Sequence, residues 1–375
     1  MHKTSAWPLA LVYAALIFFA SLFPFTGWRA QGINPWVFLS AKIPPPYWSW
    51  FDVNINIVGY APLGFLLALA LLRSDAPGAD APGTAASRAA VPVAALAGTL
   101  LSAAMEFLQI YLPRRVPSNM DLALNAAGTL LGALLALLLE RLGAIDRWSL
   151  FRARWFTGQA RGAIVLLVLW PVALLVPAAV PFSLGQVFER LESFLTELLE
   201  GTPFLDWLPM RDAPLVPLSP GGELLCEVLG LLAPCLLAYC VVPNKGRRAV
   251  LALLGVGLGI AATALSAALS YGPVHAWEWL GLPAHLAIWV ALALAAALIA
   301  LPGRACAAVL LLVLMWQLSL LNQAPTSAYF AQTLQTWEQG RFIRFYGLAQ
   351  WLGWLWPYAA LLYVLLRISR RGAPS

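Results

Sequence analysis

Ten apolar stretches, each long enough to cross a hydrocarbon layer of ~30 Å, follow one another along this chain, at about residues 7–25, 53–72, 91–111, 122–142, 163–182, 223–242, 250–271, 280–301, 305–321 and 348–366. No soluble fold has room for so many. Only 11% of the 375 residues are charged and 61% are hydrophobic, against about 25% charged in a typical soluble domain. The sequence therefore predicts an all-α polytopic transmembrane bundle of about ten spans. The first stretch resembles a signal peptide, but its long apolar core and the lack of a convincing small-residue cleavage site make it an anchor.

Lys and Arg orient the spans. With the N-terminus cytoplasmic, most of the 23 basic residues fall in inside segments, and both termini lie in the cytoplasm. The net charge of +6 follows topology and gives no reason to invoke nucleic acid. Cys226, Cys235, Cys240 and Cys306 sit in apolar runs without CxxC spacing, so neither a zinc site nor a disulfide framework is expected. No cofactor or metal motif is present.

Three non-spanning pieces divide the chain. "RSDAPGADAPGTAASR" (73–88) reads as a flexible inside linker. "IDRWSLFRARWF" (145–156) reads as an interfacial helix on anionic headgroups. "SLGQVFERLESFLTELLEG" (183–201) opens an outside segment with an acidic amphipathic helix. The expected organisation is a transmembrane domain over 1–144, a middle region over 145–222 and a C-terminal transmembrane domain over 223–375.

The two transmembrane domains echo one another. "TLLSAAMEF" (99–107) parallels "TALSAALSY" (263–271), and Asp52, Asn56 and Gly59 align with Glu223, Glu227 and Gly230 at constant offset. Four spans separate the copies, which predicts a parallel, degenerate repeat. The second copy has Ser270 in place of Glu106 and reads as scaffold.

Polarity concentrates in "SAAMEFLQIYLPRRVPSNMDLALN" (102–125). On this topology Asp52, Asn54 and Asn56 lie at the outer end of the second span, Glu106 and Gln109 close the third, and Asp121 and Asn125 open the fourth. Asp121, Asn125, Gly128 and Gly132 are spaced four, three and four apart, so they share one helix face, and the glycines let a neighbouring helix approach closely. A carboxylate such as Glu106 costs about 2–3 kcal/mol or more in hydrocarbon unless paired, hydrated or protonated. Arg114 and Arg115, on the short outer loop, are its expected partners. One reading is an ion-pair cluster that only locks three helices together. The other is an outward-facing pocket at the outer leaflet, where Arg suits phosphate or carboxylate and Gln109 and Asn125 offer amides. Glu106 and Asp121 could also serve as an acid/base pair, although no nucleophile, metal or phosphate loop accompanies them. A transporter would need mid-membrane polar residues in both halves, and the second half supplies few.

The same residues carry a resemblance. "DVNINIVGYAPLGFLL" followed by "LLSAAMEFLQIYLPRRVPSNMDLALNAAGTLLGALL" is similar to the VanZ family of bacterial membrane proteins over roughly residues 10–142. The matching positions are Pro62, Leu63, Gly64, Phe65, Ser102, Glu106, Gln109, Arg114 or Arg115, Ser118, Asp121, Asn125, Gly128 and Gly132. Pro62, Gly64, Gly128 and Gly132 are the expected helix-packing positions. The resemblance implies an inner-membrane protein linked to the cell envelope, with teicoplanin resistance as the association of the name-giving member. Its expected partner is a membrane lipid or lipid-linked envelope precursor at the outer leaflet. The C-terminal spans lie beyond the usual short form.

Overall fold

The computed structural model describes residues 6–23, 25–32, 34, 37–45, 48–73, 85–176, 178–208, 215–325 and 343–369. Within them all regular structure is helical, as α-helices and short 3-10 turns. The chain divides into two compact units, Met1–Phe151 and Arg152–Ser375. The linker expected at 73–88 lies largely outside the described residues.

The N-terminal unit holds α1 (Ala6–Leu22), α2 (Trp50–Leu72), α3 (Ala85–Gln109) and α4 (Asn119–Arg141). α2 starts where Ser49 and Asp52 form a reciprocal capping box, which satisfies amides that helix geometry leaves unpaired. Ser118 caps α4 by accepting the Asp121 N–H at 3.3 Å. α2 packs against α1, α3 and α4, most extensively against α4.

Glycines explain that last contact. A Cβ placed on Gly132 would fall 1.8 Å from the Ala61 carbonyl oxygen, one on Gly64 1.9 Å from that of Thr129, and one on Gly128 2.3 Å from that of Ile57. Backbone therefore meets backbone along the whole α2–α4 seam. In lipid such close packing, rather than burial from water, holds helices together. Pro62 lies inside α2. At the far end of the seam Arg73 forks onto Glu140, with both bonds 3.0 Å, and also binds Asp146. α5 (Ala144–Trp155) buries no residue of its own and stacks Trp148 on Phe151.

The C-terminal unit contains α6 (Arg161–Ala173), α7 (Phe188–Leu199), α8 (Pro220–Val241), α9 (Lys245–Tyr271), α10 (Leu282–Leu298), α11 (Gly303–Leu321) and α12 (Ile343–Ser369). α8 is its axis: it touches α6, α9, α10 and α11, and its residues from Cys226 to Val241 are all buried. Among the described residues α2, α3, α4, α8, α9, α11 and α12 are long and apolar enough to cross a membrane, and α1, α6 and α10 are shorter apolar helices.

The fifth apolar stretch departs from the expected single helix over 163–182. α6 stops at Ala173, and the described residues from 174 to 187 are irregular backbone. Pro177 and Pro181 in the sequence explain this, since proline brings no amide donor and disfavours helix in the residue before it. Irregular backbone at membrane depth must be satisfied by protein around it. Gly185 N–H accordingly donates to Gly353 O at 2.9 Å. The Asn322 side chain accepts from the Val187 and Phe188 amides, each at 3.0 Å, and donates to Gly185 O at 3.0 Å.

Candidate functional site

Several polar residues of the N-terminal unit gather where α3 ends and α4 begins, with α2 packed against both. Glu106 is 3% exposed, and its Oε2 accepts the Ser118 N–H at 2.9 Å. A single carboxylate thus joins the last turns of α3 to the cap of α4. One turn inward, Asn125 Nδ2 donates to Ser102 Oγ at 2.9 Å, while Asn125 Oδ1 is buried without a hydrogen-bond partner. Thr129 Oγ1 donates back to the Asn125 carbonyl at 2.8 Å.

Tyr60 completes the cluster from α2. Its hydroxyl lies beside Ser102 and Ser21 and in the field of Glu106 and Asp121, yet is buried without a hydrogen bond of good geometry. Tyr60 follows Asn56 by four residues and so shares its helix face, which is the sequence signal for it. Asn56 itself is buried.

The remaining candidates have other neighbours. Gln109 Nε2 donates to Ser21 O at 3.0 Å. The Arg115 guanidinium donates to the carbonyls of Ala20 and Phe23. Both side chains therefore close the C-terminal turn of α1, whose carbonyls lack helical partners and carry partial negative charge. Arg114 is exposed on the loop. Asp52 accepts from Ser49 N–H and Oγ at 3.0 and 2.6 Å within the capping box. Asn54 is exposed and donates to Trp50 O at 2.9 Å.

A covering layer was not visible in the sequence. The connection from α1 to α2 folds over the α3–α4 turn: Arg29 N–H donates to Tyr111 O at 3.0 Å, Gln31 Nε2 to Ile110 O at 2.6 Å, and Asn119 Nδ2 to Ala41 O at 2.6 Å. These bonds end on main-chain carbonyls, which no residue type marks in advance.

The arrangement thus comprises a buried carboxylate, an amide oxygen and a phenol without partners, and a polar lid. Helices of this length and apolarity make the chain a polytopic helical membrane protein. Residues 6–140 match the sequence model of the VanZ/LLP1 family, so the N-terminal unit is VanZ-like over that stretch. No curated protein and no solved structure matches the chain.

Proposed function

We propose that the VanZ-like unit binds the polar part of an amphiphilic cell-envelope molecule, a lipid-linked precursor or a glycopeptide-type ligand, at the α2–α3–α4 cluster. Asn125 carries this reading. Its Oδ1 is buried and unpartnered, a state that costs about 1–3 kcal/mol and that a hydroxyl or amide donor from a ligand relieves. The Tyr60 hydroxyl beside the cluster can bond the same group, and Arg114 offers a guanidinium to a phosphate or carboxylate further out. The donor-rich headgroups of envelope glycans and peptides suit this set. The distribution of Lys and Arg supports an inner-membrane setting with cytoplasmic termini, which puts the cluster in the outer-leaflet half.

The test is lipid mass spectrometry on full-length protein purified from membranes, as wild type, Asn125→Leu and Tyr60→Phe, with melting curves alongside. Loss of a copurifying amphiphile by tenfold or more from variants that still melt cooperatively is the expected result. Identical lipid content in all three defeats the reading. Glycopeptide susceptibility of cells carrying the same variants separates an antibiotic-type ligand from a lipid precursor.

A further inference from the structure

The C-terminal unit contains a second pair of buried oxygens without hydrogen-bond partners: Glu227 Oε2 on α8 and Thr263 Oγ1 on α9. Glu227 is 5% exposed. α8 and α9 run antiparallel through the short turn at 242–244. They touch where Leu231 lies 3.5 Å from a Cβ placed on Gly259. Glu227 stands four residues before Leu231, and Thr263 four residues after Gly259. Both are thus one turn from that contact towards the same end of the hairpin, which brings the two oxygens to one level.

The third wall is backbone. Phe182, in the irregular segment after α6, has a φ of 61°, and its carbonyl oxygen lies 2.4 Å from a Cβ placed on Gly230. Gly230 follows Glu227 by three residues, so the carbonyl abuts the same side of α8. From α9, Ser266 donates to Leu175 O at 2.9 Å, which ties the polar face of that helix to the same segment.

Among the described residues no fixed cation answers the carboxylate. Of the helices packed on α8, α10 carries only His285, exposed and bonded to Gly281 O at 2.8 Å, while Arg304 of α11 and Arg161 of α6 lie towards the Val241 end of α8. Residues 174–187 and 249–270 contain no ionisable side chain. Among the described residues the charge acting on Glu227 is that of Glu223, one turn earlier on α8 and of the same sign. An isolated carboxylate in a low-dielectric interior is held by a proton or by a counter-cation.

We propose that Glu227, Thr263 and the main-chain carbonyls of the broken segment around Phe182 form a binding site for a small monovalent cation, sodium in type, which competes with a proton for Glu227. A carboxylate, a hydroxyl and carbonyls are hard oxygen donors. One carboxylate balances one positive charge, whereas divalent sites recruit more acidic ligands. Unwound backbone at an interrupted span is a recurring sodium ligand. The site lies wholly within the C-terminal unit and stands or falls independently of the N-terminal cluster.

The test is the melting temperature of full-length protein in detergent at about pH 8 and constant ionic strength, with sodium, potassium or choline as the cation. Wild type should show a saturable rise with sodium, a weaker one with potassium and none with choline. Lowering the pH by one unit should move the sodium midpoint up to tenfold higher. Glu227→Gln should abolish the rise, and Thr263→Val should raise the sodium midpoint at least tenfold. A melting temperature indifferent to cation identity overturns the proposal without any variant, as does a Glu227→Gln protein that responds like wild type.

Discussion

Glu106 and Ser118 are joined by a 2.9 Å hydrogen bond from the Ser118 amide to the Glu106 carboxylate, across the connection between α3 and α4. Ser118 in turn receives the Asp121 amide on its hydroxyl. The carboxylate thus orders the start of α4 through the residue that caps it. Hydrogen bonds to charged groups contribute about 1.5–3 kcal/mol. Glu106→Ala should therefore lower the stability of the full-length protein by roughly that amount, and Glu106→Gln, which keeps an acceptor, should lose less. Thermal unfolding in detergent measures both, and equal losses would show that the bond to Ser118 is not what Glu106 supplies.

The α2–α4 seam makes a sharper distinction between glycines. Gly132 has the Ala61 carbonyl where a methyl would go, whereas a Cβ on Gly59 meets nothing within 4 Å. Gly132→Ala must push the helices apart and should cost about 1–3 kcal/mol or more, as overpacking does. Gly59→Ala should be neutral or stabilising by up to about 1 kcal/mol, because alanine is the better helix former. Expression level and melting temperature of the two variants decide the matter, and indistinguishable proteins would refute the seam.

Arg248 is 5% exposed and donates to four carbonyls, those of Val242, Tyr239, Ile299 and Leu301. It satisfies the C-terminal ends of α8 and α10 together. A lysine cannot reproduce a planar fork of donors, so Arg248→Lys should destabilise nearly as much as Arg248→Ala. Both should lower the melting temperature by several degrees or prevent accumulation in the membrane. Full rescue by lysine would mean that charge alone, and not the fork, is what this position needs.

Much of this was legible in the sequence, and for a stated reason. The four-three-four spacing of Asp121, Asn125, Gly128 and Gly132 fixes one helix face, and a face that carries both polar groups and glycine has to pack closely. Span length and charge gave the helical membrane architecture directly. What escaped were roles that depend on main-chain oxygens. Arg115 reads as a ligand fork until the end of α1 comes beside it, because the carbonyls of Ala20 and Phe23 have no sequence signature. The break after Ala173 escaped because the residues beyond it remain apolar. Pro177 and Pro181 were the signal, and hydropathy outweighed them.

That break rests on Asn322. Its Oδ1 accepts the amides of Val187 and Phe188 while its Nδ2 donates to the carbonyls of Gly185 and Leu318, so one side chain supplies the partners that a helix would otherwise provide. Tyr358 adds a bond to Gly185 O at 3.1 Å. Asn322→Leu removes every one of these side-chain bonds and leaves buried amides unpaired, at about 1–3 kcal/mol each. Asn322→Asp retains the acceptor, loses both donor bonds and adds an ionisable group that is costly where it is buried. Hydrogen exchange on the full-length protein should therefore show the fastest exchange at Val187 and Phe188 in Asn322→Leu, and an intermediate rate in Asn322→Asp, which keeps the acceptor for both amides. The α2–α4 seam, which lies in the other unit, should keep its protection in both. Unchanged exchange at Val187 and Phe188 in the leucine variant would mean that the segment is held by its own packing and not by this residue.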